Sequence, residues 1–164
     1  MGTLLQRRAV AVLVIDEESV RGGGSPPGPD EPEDLDTVGV LVSVRVREGA
    51  VLALPGGKVD SGDSSLHHAA ARELEEETGL GFPTGAFTVE CTLNQPDWIV
   101  TLLSIRCPAA KKREVRNLEP DKHGPWVWRT WGDLRREPAD NVFPTLGRML
   151  QDLKSIQALG ASER

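Results

Sequence analysis

Runs of apolar residues divide the chain into predicted strands and helices. The runs at residues 9–15, 38–46 and 98–107 have the length and the β-branched content of buried strands. Residues 64–78 are mostly good helix formers and start with two serines suited to capping a helix. Further strands are predicted at 87–93 and 126–130, and a C-terminal helix from the spacing of Val142, Leu146, Met149, Leu150, Leu153 and Ile156. This order predicts an α/β fold with a mixed sheet between helices.

Residues 17–36 interrupt this pattern and give the chain its negative charge. The segment is rich in Gly, Pro and acids, and counted together with Asp16 it holds eight acids against one base. It has too few apolar residues to pack, so we expect a disordered insertion within a single domain spanning 1–164. The net charge is −6, but the rest of the chain has 18 bases and 17 acids. A nearly neutral surface argues against long nucleic acid as a partner.

The remaining composition bears on compartment and assembly. No stretch approaches 18 consecutive apolar residues, so no membrane span is predicted. The apolar run at 9–15 is followed at once by acids, which favours a strand over a signal peptide. Cys91 and Cys107 have apolar, strand-like flanks and are interpreted as reduced thiols, which favours a cytoplasmic location. The oligomeric state is open, with a homodimer as one alternative.

Three acids in the predicted helix are the strongest chemical signal. Glu73, Glu76 and Glu77 are spaced i, i+3 and i+4, so they project from one helix face. At about 5 Å and an effective dielectric of about 20, each pair repels by roughly 3 kcal/mol. Hard oxygen donors at this spacing suit Mg²⁺ or Mn²⁺, while a solvated acidic face is the alternative for the acids alone. The preceding Gly56-Gly57 pair favours a site, because glycine lets backbone approach a ligand closely.

These residues, with their lead-in L-P-G-G, resemble the Nudix box. The box has the pattern G, five residues, E, seven residues, R-E-U-x-E-E-x-G-U, where U is aliphatic. The matching positions here are Gly57, Asp63, Arg72-Glu73-Leu74, Glu76-Glu77 and Gly79-Leu80. The chain departs from the pattern twice: the first box acid is Asp63, and eight residues separate it from Arg72.

The resemblance implies a fold, a cofactor and a set of site residues. The fold is the Nudix-type α/β/α sandwich, and the activity is Mg²⁺- or Mn²⁺-dependent hydrolysis of a phosphoanhydride. The implied metal ligands are Glu73, Glu76, Glu77 and the carbonyl of Gly56. Arg72 is expected to fix a neighbouring carboxylate, Asp63 to orient the site, and Arg45 and Lys58 to contact substrate phosphate.

A second segment, N-L-E-P-D-K-H-G-P-W-V-W-R-T-W-G-D-L at residues 117–134, resembles the MutT-like branch of the family. Members of that branch convert nucleoside triphosphates, including oxidised or modified purine nucleotides, to nucleoside monophosphate and pyrophosphate. The resemblance implies a nucleotide substrate, Trp126 as a stacking surface for its base, and Glu119 as a further carboxylate near the metals.

Three other functions stay open at this point. Another Nudix substrate is possible in principle, namely an ADP-sugar, a dinucleoside polyphosphate or an mRNA cap, although the neutral surface disfavours the cap. The shortened acid Asp63 and the extra loop residue motivate a catalytically weak nucleotide-binding module. The acidic insertion could instead dock a partner, a role that would leave catalysis intact when the insertion is deleted.

Overall fold

Seven strands form one mixed sheet in the computed structural model, which describes residues 7–21 and 35–151. They are β1 (Arg7–Asp16), β2 (Gly39–Arg45), β3 (Val51–Ala53), β4 (Gly56–Lys58), β5 (Thr88–Asn94), β6 (Trp98–Cys107) and β7 (Val127–Thr130). The strand order is β3-β2-β1-β6-β5, with β4 paired to β1 and β7 paired to β2. Strands β1 and β6 run parallel and the other pairs are antiparallel, so the sheet is mixed as the sequence predicts.

Strand β1 is the centre of this sheet because its side chains are apolar on both faces. Val12, Leu13 and Val14 are fully buried. Its neighbour β6 pairs with it in continuous register from Arg7↔Trp98 to Asp16↔Cys107. A central strand with no polar face is the expected product of an uninterrupted apolar run.

Helices cover both faces of the sheet. They are α1 (Glu17–Arg21), α2 (Leu66–Thr78), α3 (Ala109–Lys112), α4 (Trp131–Arg136) and α5 (Pro144–Gln151), and 3₁₀ turns occupy Leu35–Thr37, Val46–Glu48, Thr84–Ala86 and Ala139–Asn141. Leu74 of α2 packs with Val12, whereas Trp131 of α4 and Leu146 of α5 pack with Leu13 on the other face. The predicted α/β/α sandwich is confirmed.

At the ends of most strands, the observed boundary differs from the predicted boundary by a few residues. The clearest local difference is α3, which lies in a segment that the sequence predicts to be irregular. Helix α5 includes Leu146 and Met149 as expected, while Leu153 and Ile156 lie outside the described residues. The predicted insertion is described only at its ends, as the helix α1 and the turn Leu35–Thr37.

Two further expectations, on membrane-spanning segments and on the two cysteines, can be compared with the structure. No helix within residues 7–21 and 35–151 has the length and apolar character needed to cross a membrane. Cys91 is half-buried, Cys107 is buried, and neither forms a disulfide. Both thiols lie on strands, as their flanks indicate.

Candidate active site

Helix α2 carries the acids, and its two ends are fixed by local sequence. The Ser65 hydroxyl accepts from the His68 backbone N–H at 3.0 Å, which satisfies a donor of the first turn. Gly79 ends the helix with φ of 77°, and its N–H donates to the Glu75 carbonyl at 2.9 Å. A left-handed residue at this place favours glycine. The helix predicted from Ser64 therefore begins two residues later and ends where expected.

Arg72 and Asp63 form a two-pronged ion pair. The Arg72 Nε donates to Asp63 Oδ1 at 2.9 Å, and Nη2 donates to Oδ2 at 2.9 Å. The Asp63 side chain is 1% exposed, and the hydrogen bonds from Arg72 lower its pKa to about 2 despite that burial. The backbone N–H of Asp60 donates to the same carboxylate at 2.8 Å. The extra residue before α2 is therefore accommodated without separating the acid from the arginine.

Arg72 also connects this loop to the acids of α2. Its Nη1 lies 3.1 Å from Glu73 Oε1 and 3.2 Å from Glu76 Oε2. Its Nη2 donates to the carbonyl of Lys58 at 3.0 Å. One guanidinium therefore orients two of the predicted metal ligands relative to strand β4, which is the kind of contact expected of it.

The Gly56-Gly57 pair lets the helix carboxylates approach strand β4. A Cβ on Gly57 would lie 2.5 Å from the Glu73 carboxylate carbon, and a Cβ on Gly56 would overlap the Val10 carbonyl oxygen. The Gly56 N–H donates to Glu77 Oε2 at 3.4 Å. Only glycine fits at either position without a shift, so the turn chemistry and the carboxylate placement are linked.

The three acids of α2 differ in burial. Glu77 is 4% exposed, and the side chains of Glu73 and Glu76 are 13% and 50% exposed. Burial raises the pKa of Glu77 to about 9, and the nearby Glu73 charge adds to the shift. Burial also raises the pKa of Glu73, against the lowering effect of Arg72. A buried carboxylate whose charge is further destabilised by a neighbouring carboxylate would be stabilised by a cation.

The loop at residues 117–124 brings Glu119 to the same place. The Glu119 carboxylate pairs with Lys122 Nζ at 2.7 Å, and its charge is among the lesser causes that raise the pKa of both Glu73 and Glu77. The Asn117 amide holds the loop closed by donating to the carbonyl of His123 at 2.8 Å and to that of Gly124 at 3.1 Å. The loop therefore positions a fourth carboxylate beside those of α2.

The donor set fits a divalent metal by its chemistry. Carboxylate oxygens are the ligands that Mg²⁺ and Mn²⁺ prefer, and Glu73, Glu76, Glu77 and Glu119 supply them from α2 and the loop. Within the described residues no group of three or more His, Cys, Asp or Glu side chains is placed so that it could hold a metal ion. The fit is therefore one of donor chemistry, and such a cation usually takes further ligands from water and substrate phosphate. The predicted role of the Gly56 carbonyl stays a prediction.

A cavity of about 350 Å³ lies beside the glycine pair, and none of the four acids is among its lining residues. Its wall includes Gly56 and Gly57, which contact Glu77 and Glu73. Among the residues predicted to bind substrate, Arg45 and Lys58 line it. Sequence reasoning missed Gln95, Trp98, His123, Phe143 and Thr145, which also line it.

The two predicted cations lie against aromatic rings of this cavity. The Arg45 guanidinium lies 4.6 Å from the Phe143 ring centroid, and Lys58 Nζ lies 5.8 Å from that of Trp98. Such contacts hold a cation in place over the face of a ring. The cavity wall therefore carries fixed positive charge beside the glycine pair.

Trp126 is not among the residues that line the cavity. Its indole N–H donates to the Glu77 carbonyl at 3.1 Å, and its ring lies 5.0 Å from that of His123. It packs with the cluster beneath α2. The tryptophan that lines the cavity is Trp98, and its sequence signal was its place at the start of a long apolar strand.

Comparisons with known proteins identify the class to which this site belongs. A model of the NUDIX domain family matches residues 5–153, so the chain belongs to the Nudix family. Hydrolases of this family act on pyrophosphate bonds and generally use divalent metals such as Mg²⁺.

Solved structures share the fold at low identity. The chain is 22% identical to a MutT NUDIX hydrolase from Burkholderia pseudomallei, with a TM-score of 0.63 over 90% of this chain and 98% of that one. It is 17% identical to the NUDIX domain of Shewanella oneidensis NrtR in complex with ADP ribose, with a TM-score of 0.64 over 94% and 88%. A MutT/nudix family protein from Enterococcus faecalis is 16% identical with a TM-score of 0.56, and the match covers 78% of this chain but 45% of that one. These likenesses show the fold and leave the substrate open.

Proposed function

We propose that this chain is a Mg²⁺- or Mn²⁺-dependent pyrophosphohydrolase that converts nucleoside triphosphates, including oxidised or modified purine nucleotides, to nucleoside monophosphate and pyrophosphate. One observation carries the proposal. The glycine pair that contacts Glu73 and Glu77 also forms the wall of a cavity bearing Arg45 and Lys58. Acids for a metal and cations for a polyphosphate therefore share one boundary.

The residues around the cavity and on α2 have different roles in the proposed reaction. Arg45 and Lys58 attract the polyphosphate and hold it beside the acids of α2. A divalent cation held by the carboxylates of Glu73, Glu76 and Glu77 would neutralise charge on the phosphates and make water easier to deprotonate. One carboxylate of the cluster accepts a proton as water attacks phosphorus, the P–O anhydride bond breaks, and its electrons leave on the departing phosphate oxygen. Arg72 and Asp63 keep the acids oriented throughout.

The nucleobase would occupy the end of the cavity at Trp98. An indole stacks on a base with about 1–3 kcal/mol. At that end the Gln95 amide donates to the Thr145 hydroxyl at 3.3 Å, which supplies polar groups for the base edge. This placement competes with the role that the sequence resemblance gives to Trp126.

The second candidate is another nucleoside diphosphate-linked substrate, such as an ADP-sugar or a dinucleoside polyphosphate. It is supported by the similar fold of a NUDIX domain in complex with ADP ribose. A catalytically weak nucleotide-binding module is the third candidate, and the intact ion pair between Asp63 and Arg72 counts against it.

The test is product release from a nucleotide panel with Mg²⁺ or EDTA. The panel contains dGTP, 8-oxo-dGTP, dCTP, ATP, ADP-ribose and diadenosine polyphosphates. Glu76→Gln is compared with Glu75→Gln, a matched change on an exposed neighbour. Metal-dependent pyrophosphate release that is lost only in Glu76→Gln supports the proposal. Turnover of ADP-ribose or the dinucleotides alone replaces it with the second candidate, and binding without turnover replaces it with the third.

The same proposal includes a single cytosolic domain with a dispensable acidic insertion. Cys91 and Cys107 form no disulfide, which supports the location. Ser19 in α1 accepts from the Gly39 N–H at 2.8 Å, so a deletion should spare α1. Removing residues 22–34 is expected to leave turnover unchanged, and loss of turnover in a folded variant would contradict this.

A further inference from the structure

His123 lies between a serine of the sheet and an acid of α2. Its Nδ1 is 3.3 Å from Ser43 Oγ, and its Nε2 is 3.5 Å from Glu77 Oε2. Ser43, His123 and Glu77 are all buried, at 1%, 5% and 4% exposure. The three side chains therefore form a continuous row from strand β2 to the carboxylate, shielded from water.

The same loop also holds the backbone of Glu77. The Glu77 carbonyl accepts from the Leu118 N–H at 3.2 Å and from the Trp126 indole at 3.1 Å. The backbone of His123 is fixed in turn, because its carbonyl accepts from Asn117 and its N–H donates to the Glu119 carbonyl at 3.0 Å. The imidazole thus faces the carboxylate from a rigid frame.

The row of groups selects one tautomer of the imidazole. The Ser43 hydroxyl can donate its proton to Nδ1, which leaves the ring proton on Nε2, facing the Glu77 carboxylate. When Glu77 is ionised, as a metal ligand must be, the other tautomer would place a lone pair on Nε2 against the lone pairs of the carboxylate. Fixing a tautomer through the second ring nitrogen is a general way to orient a histidine.

We propose that His123 is a positioning residue that holds the Glu77 carboxylate for a divalent cation through its Nε2–H. His123 lies outside the box positions, and its neighbours are set by the fold. The inference rests on the proposed function only in taking Glu77 as a metal ligand. Removing a residue that contacts a metal ligand typically weakens metal affinity by 10–100-fold.

Two amide substitutions separate the ring nitrogens. In His123→Gln the amide reaches the place of Nε2 and can donate to Glu77, whereas in His123→Asn it reaches only the place of Nδ1 and retains the Ser43 contact. Asp121→Asn is the control, because Asp121 is exposed on the same loop and pairs with Arg47 at 3.4 Å. Thermal unfolding and circular dichroism establish that each variant is folded.

The readout is Mn²⁺ affinity of the full chain without nucleotide, measured by the paramagnetic resonance signal of free Mn²⁺. His123→Asn is expected to bind Mn²⁺ about 10–100-fold more weakly, and His123→Gln and Asp121→Asn close to wild type. Ser43→Ala is expected to fall between them. Raising Mn²⁺ should restore turnover of His123→Asn with little change in nucleotide KM, which a merely structural role would not produce.

The inference is overturned if folded His123→Asn binds Mn²⁺ as tightly as wild type, or if His123→Gln and His123→Asn lose affinity equally. Its failure is distinguishable from failure of the proposed function. Mn²⁺ binding with the expected contrast but no pyrophosphate release sinks only the proposed function. Pyrophosphate release with equal Mn²⁺ affinity in all variants sinks only the role of His123, and a wild type that binds no Mn²⁺ overturns that role as well.

Discussion

Arg72 holds Asp63 through two parallel hydrogen bonds, with Nε and Nη2 each 2.9 Å from a different carboxylate oxygen. Planar two-pronged pairs of this kind are stronger and more directional than single contacts. The shorter acid and the longer loop are the two departures of this chain from the box pattern, and they occur together. We infer that the extra residue lets an aspartate reach the arginine that a glutamate would otherwise contact.

The first prediction concerns the pH dependence of this pair. The folded pKa of Asp63 is about 2, below its ordinary 3.8, so its contribution to stability is complete above about pH 4 and is lost as the pH falls toward 2. Asp63→Asn should lower the free energy of unfolding by about 2 kcal/mol near neutral pH. The difference from wild type should shrink on acidification, as measured by urea unfolding at several pH values.

Asp60→Asn is the control for that experiment. Asp60 Oδ2 also approaches Arg72, at 3.4 Å, but its side chain is 64% exposed. Exposed pairs contribute about 0–1 kcal/mol, so this variant should stay close to wild type at every pH. An equal loss in both variants, or a gap for Asp63→Asn that persists at low pH, would contradict the assignment.

The second prediction separates the two roles of the glycine pair. A Cβ at Gly57 meets the end of the flexible Glu73 side chain, which can move aside, whereas a Cβ at Gly56 meets the Val10 backbone, which cannot. Gly57→Ala should therefore unfold within about 1 kcal/mol of wild type but lose about 10–100-fold in metal-dependent turnover. Gly56→Ala should lower stability itself, as shown by thermal unfolding.

Gly62→Ala provides the matched control, since a Cβ there meets nothing within 4 Å and its φ is not positive. It should match wild type in both stability and turnover. If Gly57→Ala keeps full turnover, the close approach of Gly57 to Glu73 has no part in the reaction.

Local pattern explains why much of the site could be predicted from the sequence. The spacing of Glu73, Glu76 and Glu77 follows from helix geometry alone, and Gly79 marks the helix end through its backbone freedom. The burial of Glu77 relative to Glu76 could not be predicted. It depends on how α2 packs against strand β4, which no local pattern encodes.

The residues that line the cavity could not be predicted from local sequence patterns, for the same reason. Trp98 reaches it because β6 pairs with β1 in the register Arg7↔Trp98. Phe143 reaches it because its N–H donates to the Leu52 carbonyl at 2.8 Å. These contacts join segments far apart in the chain, so no local pattern marked Trp98 as part of the cavity wall, and the stacking role predicted for Trp126 stays a prediction.

The third prediction concerns alkaline stability. Burial raises the pKa of the Cys107 thiol from 9.0 to about 11, with Asp16 adding to the shift. The folded state therefore holds the thiol proton more tightly, and stability should fall by about 3 kcal/mol as the pH rises from about 9 to 11. Cys107→Ala should remove this part of the pH dependence in urea unfolding, and an unchanged alkaline slope in that variant would refute it.

The last prediction decides between Trp98 and Trp126 as the surface that stacks on the base. Trp98 lines the cavity, whereas Trp126 donates to the Glu77 carbonyl and packs beneath α2. Trp98→Leu should raise the nucleotide KM by the equivalent of about 1–3 kcal/mol, with a smaller effect on kcat. Trp126→Leu should instead lower stability by about 1 kcal/mol or more, because a buried carbonyl loses one donor and the cluster loses packing.

Steady-state kinetics at saturating Mg²⁺ makes the comparison, because saturation removes any effect of Trp126 that acts through the metal. Trp128→Leu is a useful third variant, since its ring contacts Lys112 at 5.1 Å and does not line the cavity. If the nucleotide KM rises in Trp126→Leu and stays at the wild-type value in Trp98→Leu, the base binds near the loop before β7, as the sequence resemblance implies. A raised KM in all three would mean that stacking is not what the assay detects, because Trp128 then reports only a general loss of packing.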